Sequence, residues 1–135
     1  MQRPLNRSEV KVSPVIFGAW AIGGWLWGGS DERDSIAAIQ AAIDHGMNTI
    51  DTAAMYGEGY SEELIGKAIK GRRDKVVIAT KGGLRWDTQE GSDPWQVKDM
   101  QGKTITVFNN SKELVRECEE SLKRLQVDAI DLYQI

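Results

Sequence analysis

Two hydrophobic rhythms alternate along the chain. Residues 10–18 first alternate polar and apolar positions and then become the apolar run Val15-Ile16-Phe17, which predicts a short hairpin element followed by a buried strand. Ser30 and Asp31 offer N-cap oxygens to a helix whose apolar face is Ile36, Ile39 and Ile43, and Gly46 closes it. Residues 48–51 form a second short strand. Ser61 is expected to cap the next helix, with Glu62 and Glu63 in its first turn, Leu64, Ile65, Ala68 and Ile69 on one face, and Gly71 after it. The β-branched run at 76–80 predicts a third strand. Ser111 is expected to cap a third helix with the apolar face Leu114, Val115, Cys118, Leu122 and Leu125, and Lys123 and Arg124 suit its C-terminal dipole. Residues 130–135 read as a fourth strand.

The order βαβαβαβ implies an α/β fold of parallel strands joined by right-handed crossovers. No Pro- or Gly-rich linker divides residues 1–135, so they read as one domain. The connection at 84–110 is far longer than the usual βα loop. Inside it, 95–98 and 104–108 are expected to pair as a hairpin around Gly102, and loops of this length often cover a binding site.

Composition narrows the partners. Lys and Arg number 17 against 20 Asp and Glu, a net charge of −3, which gives no electrostatic reason to expect nucleic acid or an anionic membrane. One Cys and one His cannot build a structural zinc site or an internal disulfide, and a lone thiol is consistent with the cytoplasm. Cys118 is expected to pack in the core and His45 to cap helix carbonyls. The uncharged stretch 14–29 follows Arg3, Arg7 and Lys11 as a secretory leader would. Its tryptophans and glycines, and the lack of an A-x-A site, favour strand plus loop instead. There is neither a G-x-G-x-x-G nor a Walker loop.

The chemistry gathers where strands end. Asp51 closes the second strand, Tyr56 lies in the loop after it, and Lys81 closes the third. Neighbouring parallel strands bring their C-terminal ends together, so an acid, a phenol and an amine converge on the face where barrel enzymes work. Alternation turns Val77, Ala79 and Lys81 to one side of the sheet, and the small Ala79 leaves room there for a second charge. A free phenol, with a pKa of about 10, is a poor acid at neutral pH. A lysine cation beside it favours the phenolate, and a carboxylate on that lysine offsets its desolvation. Such a trio would stabilise charge growing on a carbonyl oxygen. Each residue also has an ordinary reading: Asp51 as a strand-end hydrogen bonder, Lys81 as a solvated charge, Tyr56 as a packed aromatic. The placement of both charges at strand ends favours convergence. Trp20, Trp25, Trp27 and Trp86 all follow strand ends and are expected to wall a pocket.

Three ordered motifs, D-T-A-A-M-Y-G at 51–57, T-K-G-G-L at 80–84 and L-K-R-L-Q-V-D-A-I-D-L-Y-Q-I at 122–135, resemble the aldo-keto reductase family from about Val12 to Ile135. The resemblance implies a TIM-type (β/α)8 barrel that moves hydride between NADP(H) and a carbonyl, with this chain as its N-terminal half. It implies Tyr56 as the general acid, Lys81 as the group that tunes it, and Asp51 as the partner of that lysine. Asp51 also resembles the residue that approaches the nicotinamide ribose. Gly18-Ala19-Trp20 resembles the first-strand end that borders the cofactor, with Trp20, Trp25 and Trp86 toward substrate.

The departures are as informative. In the family a histidine follows the D-L-Y-Q-I-type strand directly, and the sequence stops at Ile135. His45, at the other end of the barrel, cannot replace it. The main phosphate contacts come from the second half of the barrel. These 135 residues alone are therefore expected to be inactive, not to hold NADPH, and to self-associate through open edges. Gln126 stands where the family usually has a glycine. Two further readings stay open: a regulatory subunit on the same scaffold, as in the potassium-channel β subunits, and a Schiff-base lyase using Lys81.

Overall fold

The computed structural model describes residues 2–24, 26–88, 96–98 and 102–135. Strands β1 (Arg3–Pro4) and β2 (Lys11–Val12) make an antiparallel hairpin. There follow β3 (Phe17–Gly18), helix α1 (Glu32–Asp44), β4 (Thr49–Asp51), α2 (Tyr60–Ala68) and β5 (Val77–Lys81). Three short strands, β6 (Leu84–Arg85), β7 (Gln96–Lys98) and β8 (Thr104–Val107), precede α3 (Ser111–Leu125) and β9 (Leu132–Gln134). The main sheet runs β3-β4-β5-β9, parallel throughout, with Gly18, Asp51, Ala79 and Leu132 side by side in one row. The long connection folds into a second, antiparallel sheet ordered β6-β8-β7. The expected hairpin exists as β7 and β8, and β6 is an addition that the sequence did not disclose; Trp95 lies outside the described residues.

The outer face of the main sheet carries the core. Ile50 and Ile78 meet Ile39 and Ile43 of α1 and Ile65 and Ala68 of α2, all buried. The helices follow from periodicity, but their starts differ from expectation at two places. Asp31 caps α1 as predicted, accepting from Asp34 N at 3.0 Å. Helix α3 is capped by Asn110, which accepts from Glu113 N at 3.0 Å, and not by Ser111. Helix α2 begins after Gly59, whose φ of 97° turns the chain into it, and Ser61 lies inside. Ser61 Oγ is drawn away from capping because it donates to Ala19 O at 3.0 Å and meets Thr52 Oγ1 at 2.9 Å. That chain of bonds ties the end of β3 to the end of β4. Gly66 lets α2 press on α3: a Cβ there would come within 2.7 Å of Leu125 O.

Two expected faces are corrected. The run Val15-Ile16-Phe17 is not a buried strand. A bend at 14–15, fastened by the Ser13 Oγ bond to Val15 O, delays pairing until Phe17 meets Ile50, and Val15 and Ile16 stay exposed. On α3 the buried positions are Glu113, Glu117, Ser121 and Leu125, whereas Val115 is 59% exposed and Leu114, Cys118 and Leu122 are half-buried. The acidic face turns inward because Arg85, only 2% exposed, lies beneath it: Arg85 donates to Glu120 at 2.7 Å and approaches Glu113 at 3.5 Å. Charge pairing overrides hydrophobic periodicity there.

The inner face of the main sheet stands over a cavity of about 410 Å³. Gly18, Asp51, Ala79 and Leu132 form one layer of its wall, Thr49 and Val77 the layer below, and the β1–β2 hairpin contributes Val10 and Val12. Helix α3 ends as the missing glycine predicts, with Gln126 in the left-handed region at φ 56° and ψ 43°. A side chain in that region costs about 1 kcal/mol or more, so Gln126→Gly is expected to stabilise the fold by about 1 kcal/mol. A rise in the urea midpoint with unchanged slope would show this; an unchanged midpoint would mean that Gln126 makes a compensating contact.

Candidate active site

Asp51 and Lys81 reach each other because β4 and β5 are adjacent and in register, with Asp51 opposite Ala79 and Lys81 one side-chain step further up the same face. Lys81 Nζ donates to both Asp51 oxygens at 2.9 Å, to Thr52 O at 2.8 Å and to Tyr56 Oη at 3.3 Å. The ammonium thus has an acceptor for each of its protons and lies between the carboxylate and the phenol. The loop carrying Tyr56 is held by its own turn, Tyr56 N to Ala53 O at 3.1 Å, and by Ser61 N to Tyr56 O at 3.2 Å. Its backbone packs so closely on Gly23 that a side chain at that glycine would strike Tyr56 C and O.

The Trp20 ring stacks on Tyr56, centroids 5.7 Å apart and 15° from parallel, and Trp27 meets Trp20 edge-on at 6.3 Å. Trp20 and Tyr56 border a largely apolar pocket of about 360 Å³ into which Lys81 also opens, walled further by Ala53, Met55, Gly82, Leu84 and Ile105. Trp27 touches it only through the Trp20 ring and is not part of its wall. Leu84 and Ile105 come from the second sheet. Sequence reasoning missed both; only the length of that connection hinted at them. Trp86 does not line this pocket: it packs behind it on the Ala53, Met55 and Ile105 cluster, with the Arg85 guanidinium 5.7 Å from its ring. Trp25 lies outside the described residues. Gly18 and Asp51 edge the inner cavity, and Ala19 is buried, its N–H bonded to Asp51 O at 2.9 Å. His45 sits far from these groups in the chain's topology, at the end of α1, its Nδ1 2.8 Å from Ala41 O.

Beneath the pocket lies a buried carboxylate. Glu117 is 1% exposed; its Oε2 accepts Gly83 N–H at 2.7 Å, and its Oε1 has no hydrogen-bond partner among the described residues. Burial pushes its pKa up, against the opposing pull of the Gly83 N–H and Arg85 and with further support from Glu113 and Glu120. Burial likewise raises the Tyr133 phenol and the Cys118 thiol. A carboxyl raised in the folded state favours folding fully below its unfolded pKa and loses that contribution as pH rises through the folded value. Glu117→Gln keeps an acceptor for Gly83 N–H and is therefore expected to gain on the parent as pH rises from 4 to 7. Parallel stability curves across that range would contradict this.

The geometry can do one thing well: hold a cation under a phenol at the mouth of an apolar pocket. Comparison with known proteins shows the family. The aldo/keto reductase family model matches residues 14–135. The chain belongs to the aldo/keto reductase family. Aldo-keto reductase YhdN from Bacillus subtilis is 46% identical over 93% of the chain, which spans 34% of that protein. The aldo-keto reductase AKR11C1 from Bacillus halodurans, in its holo form, is 33% identical and superposes with a TM-score of 0.80 over 98% of the chain and 39% of its own length. An aldo-keto reductase from Klebsiella pneumoniae in complex with NADPH is 34% identical, with a TM-score of 0.65 over 93% of the chain and 35% of its own. The chain thus spans little more than a third of these proteins, in their N-terminal part, and its fold is the corresponding portion of the (β/α)8 barrel. Among the described residues no helix is long and apolar enough to cross a membrane, and no cluster of His, Cys, Asp or Glu is suited to a metal ion.

Proposed function

We propose that a complete barrel carrying this chain reduces small aldehydes and ketones to alcohols with NADPH. The observation that carries this reading is Lys81 Nζ, bonded to both Asp51 oxygens at 2.9 Å and set 3.3 Å from the Tyr56 hydroxyl. Tyr56 is the proton donor. Its proton passes to the carbonyl oxygen, and the phenolate left behind faces a fixed cation that needs no reorganisation. Asp51 keeps that cation in place. The apolar walls from Trp20, Met55, Leu84 and Ile105 exclude water and favour an uncharged substrate.

A bound NADPH would supply the hydride. The residues present suit its nicotinamide end. Gly18 has open space where a Cβ would stand, and the Asp51 carboxylate is at hand beside it. Gly18, Trp20 and Asp51 would border that end, whereas Ala19, expected there from the motif, is fully buried and only holds the backbone of the strand end. The Klebsiella complex supports NADPH as the form used. The outer edges of β3 and β9 have no neighbouring strand among the described residues, which supports self-association of these 135 residues when they stand alone.

Lys81 argues against an imine-forming lyase. A nucleophilic amine needs a free lone pair, whereas Lys81 Nζ donates hydrogen bonds to Asp51, Thr52 and Tyr56. Steady-state assays test the reading directly: carbonyl-dependent oxidation of NADPH, faster than that of NADH, is expected, with Lys81 unmodified after borohydride treatment in the presence of substrate. A reduced adduct on Lys81 would overturn it. Cofactor binding without turnover would favour the regulatory alternative.

A further inference from the structure

The Asp51 carboxylate has a second neighbour, one that lies in the last motif but has no role in the mechanism above. Strand β9 pairs with β5 so that Gln134 lies opposite Lys81, and the two side chains leave the same face of the sheet. The register is held at that level by Gly82 N donating to Gln134 O at 2.9 Å. From there Gln134 Nε2 reaches Asp51 Oδ1 at 3.4 Å, the same oxygen that accepts Lys81 Nζ. Asp51 is two strands away. Between them, on β5, stands Ala79, which is paired with Asp51 on one side and Leu132 on the other. Only a side chain as small as alanine leaves the row open for the amide to cross.

We infer that Gln134 is a positioning residue: reaching across Ala79, its amide turns the Asp51 carboxylate so that both oxygens face Lys81 Nζ, and so holds the ammonium under Tyr56. A carboxylate held only by a flexible lysine can rotate about its terminal torsion. A second donor on one oxygen removes that freedom. The inference rests on the roles proposed above for Asp51, Tyr56 and Lys81.

The test uses the complete barrel, with kcat, KM and the pH–rate profile measured for Gln134→Met, Asp51→Asn and the pair. Methionine keeps the length of the side chain and loses the donor. Its kcat is expected to fall about tenfold, the effect of one hydrogen bond to a charged group, with KM within about twofold. In the Asp51→Asn background the same change should have almost no further effect, because the group it acts on is gone. Gln134→Glu supplies a readout that packing alone would not move: its rate is low at neutral pH and recovers as pH falls, since the introduced carboxyl donates once protonated. An unchanged kcat in Gln134→Met, an equal loss in the Asp51→Asn background, or a Gln134→Glu profile parallel to the parent's would each overturn the inference. If Tyr56→Phe also kept its rate, the underlying reading would fail; a slow Tyr56→Phe beside a normal Gln134→Met would remove only the role of Gln134.

Discussion

Replacing Tyr56 by phenylalanine in a complete barrel is expected to lower kcat by about 10²–10⁴-fold, the usual worth of a positioned acid, with NADPH affinity nearly unchanged. The change deletes one oxygen and little else. The Phe ring can keep the stack on Trp20, and the loop is held by backbone bonds from Ala53 and Ser61 that do not involve the hydroxyl. Lys81 retains Asp51 and Thr52 as acceptors, so the cation stays in place and only the proton source is lost. Turnover close to the parent's would mean that water or another group donates the proton.

The second large effect is structural. Glu62 is 0% exposed; its carboxylate accepts from Thr80 Oγ1 at 2.6 Å and from Arg124 Nε at 2.7 Å. Glu62→Met leaves the partly buried Arg124 guanidinium and the buried Thr80 hydroxyl without that partner, so a destabilisation of about 3–5 kcal/mol is expected. Arg124→Met strands the carboxylate instead and should cost a similar amount. Removing both with apolar residues of like volume should recover most of the loss, because the desolvation cost goes with the charges. Urea unfolding of the single and double variants measures this. Strictly additive losses would show that the two side chains act independently. The pair matters for the site because Thr80 directly precedes Lys81, and the bonds from Glu62 fix α2, β5 and α3 to one another at that level.

How far these features were legible follows from the signal each residue carries. Asp51 and Lys81 were readable because each closes a short strand, and neighbouring parallel strands bring such ends together. Gln126 was flagged by the resemblance alone, as the residue standing where the family usually has a helix-ending glycine, and its left-handed conformation bears out the cost of that departure. Glu62 was not. Two acidic residues in a first helical turn look like a solvated dipole partner, and nothing local reveals that Arg124, 62 positions away, will bury one of them. The inward face of α3 was misread for the same reason: Leu114 and Val115 fit the apolar period, yet Arg85 from the long connection draws Glu113, Glu117 and Glu120 toward the sheet. Buried charge pairs are non-local, and hydrophobic periodicity cannot see them. Gln134 lay in a quoted motif, but its meeting with Asp51 depends on a register across three strands and on the size of Ala79.

Isotope transfer tests the central claim most directly. A complete barrel carrying this chain is incubated with NADPH deuterated at the transferable C4 position and a small aldehyde, and the alcohol is analysed by mass spectrometry and NMR. The expected product carries one deuterium on the former carbonyl carbon and a solvent-exchangeable proton on oxygen, and its formation slows sharply in the Tyr56→Phe variant. Alcohol without label, or no alcohol from a folded protein that binds NADPH, would contradict the assignment of Asp51, Tyr56 and Lys81 to carbonyl reduction.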